Sequence, residues 1–170
     1  ATASDTRTIQ VNVSNNAPSF SGLDATPTFT ENGAGVVLDS NATIVDPELD
    51  AANNFNGATL TLVRNGGANS DDIYTETGSL GTLSQGSSFT YSGTTIGTVT
   101  TNSGGTLVLT FNSSATSARV DGTLQSIAYS NTNNIPPSSV QINFTINDGI
   151  SGGQGSGGAL QGTGSVTVSI

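Results

Sequence analysis

Twelve carboxylates and three arginines carry all the charge of this chain, and the carboxylates are unevenly spread. Asp46-Pro47-Glu48-Leu49-Asp50 places three acids in five positions, directly after the β-type segment Thr43 to Val45. Asp71-Asp72 is a second pair, Glu31-Asn32-Gly33 stands early in the chain, and Asn147-Asp148-Gly149 follows an alternating segment that ends at Ile146. Crowded carboxylates repel one another, and a bound divalent ion removes that cost. Carboxylates together with carbonyl and Asn oxygens are the hard-oxygen shell of Ca²⁺, which takes six to eight such ligands. A lone Asp in a turn is most simply a turn former, so the clusters carry the argument. The candidate ligands are Glu31, Asp46, Glu48, Asp50 and Asp148, with Asp71-Asp72 as a weaker second site.

The rest of the composition narrows the chemistry. His and Cys are both absent. That removes the usual zinc ligands and most nucleophilic catalysis. A glycosidase needs only two carboxylates, but these acids fall on loops with no aromatic cleft, and Trp is absent. The chain therefore reads as a non-enzyme. A net charge of −9 makes nucleic acid a poor partner, because phosphate binding needs basic patches. No stretch approaches the ~18 apolar residues of a membrane span. Ala1 to Asp5 has neither the charged start nor the apolar core of a signal peptide, and the first residue is not Met. The sequence reads as excised from something longer, or processed. A phosphate-cradling loop is excluded too: the Gly-rich run Ser151 to Gly158 lacks the Gly-Lys-Ser/Thr ending and reads as a flexible connection.

The elements that must position these acids are strands. Period-2 alternation marks Thr8 to Val13, Thr59 to Arg64, Ser88 to Tyr91, Thr94 to Thr100, Thr106 to Phe111, Val140 to Ile146 and Val166 to Ile170. Shorter β segments are expected at Thr28 to Thr30, Val36 to Leu38 and Thr43 to Val45. Val120, Leu124 and Ile127 form a short helical stripe within 115–127. Many short strands with turn signals every ten residues or so predict an all-β fold, an antiparallel β-sandwich of the Ig-like or cadherin-like kind. Phe29, Phe89, Phe111 and Phe144 are its expected bulk. Alternate loops of such a sandwich share a pole, which predicts that Glu31, Asp46, Glu48 and Asp148 converge beside Asn15-Asn16. Residues 17–170 would form the sandwich. Residues 1–16 read as a spare strand and linker, either the last strand of a preceding repeat or the first strand of this domain.

Ser14-Asn15-Asn16-Ala17-Pro18 resembles the inter-repeat linker of cadherins and bacterial cadherin-like arrays. Glu31-Asn32 and Asp46-Pro47-Glu48 resemble their acidic motifs. Ser126-Ile127-Ala128-Tyr129 through Phe144-Thr145-Ile146-Asn147-Asp148-Gly149 is similar to the ending of chondroitin-sulfate-proteoglycan-type repeats. Gly97 to Leu107 resembles a segment of very large secreted bacterial repeat proteins. Asn15 and Asn16 stand where cadherin linkers usually carry Asp. The resemblance implies a Ca²⁺-stabilised structural repeat at the bacterial cell surface or outside the cell, serving an adhesin or surface filament. Its partners would be neighbouring repeats or identical subunits, with strand exchange through residues 1–14 as one route. The alternative is a carbohydrate- or ligand-binding β-sandwich module of a secreted protein.

Overall fold

A computed structural model describes residues 14–149 and 154–170. In chain order the elements are β1 (Ser19–Ser21), β2 (Val36–Val37), β3 (Thr43–Val45), α1 (Pro47–Ala52), β4 (Thr59–Arg64), β5 (Asp72–Glu76), β6 (Ser88–Tyr91), β7 (Thr94–Ser103), β8 (Thr106–Phe111), α2 (Ser117–Leu124), β9 (Ile127–Asn131), β10 (Ser139–Asn147) and β11 (Gln161–Ser169). The fold is all-β and sandwich-like, as the alternation predicts.

One layer is a six-stranded sheet in the order β11-β10-β4-β8-β7-β6, with every neighbouring pair antiparallel. Its register lines up apolar residues across strands. Ile146 lies opposite Leu60, Leu60 opposite Leu109, and Leu109 opposite Val99. All four are fully buried, because a period of two sends every such row to the same face. The second layer is built from two smaller ladders, β2-β9-β5 and β1-β3. Tyr129 is its hub, meeting Phe29 and Tyr74 at ring-centroid distances of 6.2 and 6.1 Å. Phe20 of β1 joins the layers through an edge-on contact with Phe144 at 6.1 Å. Phe29, Phe89, Phe111 and Phe144 are all buried in the one core. α2 lies inside the expected window and docks on β3, where Asp121 Oδ1 accepts from the Ile44 N–H at 2.9 Å.

The sheet has two ends that matter for the site. β10 and β11 pair along their whole length, from Ser139 opposite Ser169 to Asn147 opposite Gln161. At a strand rise of about 3.3 Å per residue these poles stand roughly 26 Å apart. The segment from Asn15 to Phe29 runs alongside β11 from one pole to the other. Asn15 N–H bonds to Ser156 O at 3.1 Å, and Phe29 N–H bonds to Ser169 O at 2.8 Å. Gly162 and Gly164 make room for it, since a Cβ at these positions would meet the Pro18 carbonyl and the Leu23 side chain. Of the expected Thr28 to Thr30 segment only a parallel bridge between Thr28 and Ser169 forms. Residues 1–13, and with them the spare strand and its pairing, lie outside the described residues.

Candidate cation site

The first pole gathers the end of β10, the start of α1 and the chain at Asn15-Asn16. The Asp46-Pro47-Glu48-Leu49-Asp50 cluster is the start of helix α1 rather than a plain loop. Asp46 is its N-cap, with Oδ1 accepting from the Glu48 and Leu49 N–H groups at 3.0 and 2.8 Å. Pro47 follows at the position where a missing N–H costs nothing, and Leu49 buries itself in the core. Asp50 closes the turn from the other side. Its Oδ2 accepts from the Asp46 N–H at 3.0 Å, and its Oδ1 accepts from the Ser117 hydroxyl at 2.7 Å. Both Asp50 oxygens are thus committed to tying α1 to itself and to α2.

Asp148 sits at the end of β10 and is fully buried. Its Oδ1 accepts from the Leu160 N–H at 2.8 Å and its Oδ2 from Asn15 Nδ2 at 2.8 Å. The same Asn15 amide nitrogen also donates to Gly158 O at 2.8 Å. Next along the chain, Asn16 holds Glu48 with both its N–H, at 3.3 Å, and its side-chain amide, at 2.9 Å. From the Gly-rich run, Gln154 Nε2 donates to the Asp148 main-chain oxygen at 2.7 Å.

Among the described residues, three side-chain oxygens at this pole are buried with no hydrogen-bond partner: Asn15 Oδ1, Asp46 Oδ2 and Gln154 Oε1. Each residue bonds to Asp148 or feels its charge. A fourth such atom, the Tyr74 hydroxyl, lies in the core beside Tyr129. An unsatisfied buried polar atom costs about 1–3 kcal/mol, so each of these oxygens is an acceptor that a cation or a donor would satisfy. The electrostatics agree. Burial pushes the Asp46 carboxyl above its ordinary value, and the charges of Glu48 and Asp148 push it the same way, against the two N-cap hydrogen bonds. A divalent ion here would reverse that pressure.

Asn15 thus holds Asp148 and Asn16 holds Glu48, Asp46 feels the charge of both acids, and Asp50 bonds to the Asp46 N–H and to Ser117. Glu31 does not join them. It is exposed, two residues beyond Phe29 at the second pole, because the segment before it crosses the full length of β11. Of the Asp71-Asp72 pair, Asp72 already has a countercharge and Asp71 is held at the surface by Asn133. Asp72 is buried in a bidentate pair with Arg64, at 2.7 and 2.6 Å, and further accepts from the Tyr129 hydroxyl at 2.6 Å and Asn131 Nδ2 at 2.9 Å. Among the described residues no three Asp or Glu side chains stand together as a metal-holding group on their own. A shell at the first pole would be completed by the amide oxygens of Asn15 and Gln154 and by main-chain oxygens.

Gln154 is hidden in sequence by its glycine-rich surroundings, although it is the one long polar side chain between Ser151 and Gly158. The chain matches no protein-family model, no curated protein and no solved structure. No helix among the described residues is long and apolar enough to cross a membrane.

Proposed function

We propose that this chain is a Ca²⁺-stabilised structural repeat of an extracellular bacterial adhesin or surface filament, acting as a spacer or assembly unit. The observation that carries the reading is that, among the described residues, Asn15 Oδ1, Asp46 Oδ2 and Gln154 Oε1 are buried without a partner, on side chains that bond to the buried Asp148 or feel its charge. Two of them are neutral amide oxygens. A mixed set of carboxylate, amide and main-chain oxygens suits the large, loosely ordered shell of Ca²⁺ better than the tight octahedron of Mg²⁺, which keeps its waters. Neighbouring repeats or identical subunits are the proposed partners.

The alternative module for a glycan has one feature in its favour. A groove of about 260 Å³ runs between β5 and the turn after β7, lined by Tyr74, Glu76, Leu83, Asn102 and Ser103 among others. Its one aromatic residue, Tyr74, is only 2% exposed and offers no open ring for a sugar to stack on. Two experiments divide the readings. Calorimetric titration of chelator-treated protein should give Ca²⁺ binding at roughly 10⁻⁴–10⁻³ M and much weaker Mg²⁺ binding. A glycan array should remain blank. Glycan binding without any response to Ca²⁺ would reverse the choice.

A further inference from the structure

We infer that the segment from Gln154 to Gly158, the described part of the glycine-rich loop after β10, is a cation-dependent latch in which Gln154 is a ligand and closes the segment over Asn15. The inference rests on the cation reading above and deepens it. A run of Gly and Ser has no apolar side chains to bury and a large conformational entropy to lose, so by composition it should stay open. Yet its described part is held at three points. Gln154 bonds to Asp148 O, Ser156 O accepts from the Asn15 N–H, and Gly158 O accepts from the Asn15 side chain. Every one of these contacts belongs to the candidate cation site, and none is apolar.

Gln154 is the key to the latch. It is 5% exposed, whereas the residues that follow it are open to solvent. Donation from Nε2 to Asp148 O fixes which way the planar amide faces. Its oxygen is therefore turned away from that contact, buried and without a donor. The Asn15 amide repeats the arrangement, with the nitrogen spent on Asp148 and Gly158 and the oxygen open. One amide is held by the Asp148 main-chain oxygen and the other by its carboxylate, so the two open oxygens belong to side chains anchored on the same residue. A ligand binding both oxygens would join the loop to Asn15. By linkage, closing the loop and binding the ion then strengthen each other by the same factor. The ion thus controls how firmly the chain at Asn15-Asn16 is held to the sandwich.

The test compares the full chain with Gln154→Ala and Gln154→Glu, using Ca²⁺ titration and hydrogen exchange at the Asn15 and Leu160 amides in Ca²⁺ and in chelator. In the wild type, saturating Ca²⁺ should slow exchange at both amides. Gln154→Ala should bind Ca²⁺ roughly ten-fold more weakly and lose most of that slowing, while Gln154→Glu should retain it. Melting in chelator checks that both variants fold, and Gln154→Glu serves alone if Gln154→Ala does not. Absence of Ca²⁺ binding to the wild type overturns the cation reading and the latch with it. Wild-type binding with unchanged affinity and protection in Gln154→Ala, or equal protection in chelator, overturns the latch alone.

Discussion

The side-chain amide of Asn15 donates to the carboxylate of Asp148 at 2.8 Å, across 133 positions of sequence. This bond fastens the start of the described chain to the end of β10, and it leaves Asn15 Oδ1 buried and open. Replacing Asn15 by Asp puts a second carboxylate against Asp148. In chelator this variant should lose about 1–3 kcal/mol of stability, the cost of a buried group without its hydrogen bond. In Ca²⁺ it should recover most of that loss. Chemical denaturation in the two conditions checks it; an equal loss in both would show that no cation bridges the pair.

The two poles separate the acids that the sequence groups together. Asp46→Asn with Glu48→Gln should weaken Ca²⁺ binding at least ten-fold in calorimetry. Glu31→Gln should leave it unchanged, because Glu31 lies at the far end of β11 from Asp148.

Asp46 has two duties, and two substitutions part them. Asn keeps a capping oxygen for the Glu48 and Leu49 N–H groups, whereas Ala removes it and should cost about 1 kcal/mol more in the metal-free protein. The pH dependence has a definite sign. The folded-state pKa of Asp46 is raised above 3.8 by burial, so the folded state binds more protons than the unfolded state just above that pH. Stability of the metal-free protein should therefore fall as pH rises through this window. Asp46→Asn should reduce that slope, with the similarly raised Asp121 supplying the remainder. Denaturant midpoints from pH 4 upward in chelator measure it.

At the second pole, Arg64 neutralises the buried Asp72. Arg64→Met should destabilise by about 3 kcal/mol, because the carboxylate stays buried without its countercharge. Tyr129, bonded to the same carboxylate, is pushed up to about 12, chiefly by burial and then by the Asp72 hydrogen bond. An unfolded tyrosine ionises near 10. Stability should thus fall as pH climbs from 10 toward 12, in step with tyrosinate absorbance.

Legibility followed the chemistry of each segment. β4, β8 and β10 announce themselves because every buried position is apolar and alternates with positions that, Val63 and Val108 aside, are polar. β5 inverts that code. Its core face carries Asp72 and Tyr74 while Ile73 points outward at 36% exposure, so alternation does not reveal it and Asp71-Asp72 reads as an acid pair. α1 is six residues long, too short for a helical period, although Asp46-Pro47 is a cap signal. Glu31 is misplaced from sequence because nothing between Pro18 and Phe29 shows that the chain travels the length of a strand. Gln154 escapes notice because composition predicts that its loop is open, whereas polar contacts to Asn15 and Asp148 hold it.

Thermal melting of the full chain in Ca²⁺ and in chelator tests the central claim most directly. Ca²⁺ at ten times its Kd should add about 1.4 kcal/mol, which for a chain of 170 residues raises Tm by roughly 3–6 °C. Mg²⁺ at the same concentration should give little of this rise. Superimposable curves in Ca²⁺ and in chelator would contradict the account, leaving Asn15, Asp46 and Gln154 as acceptors filled by water alone.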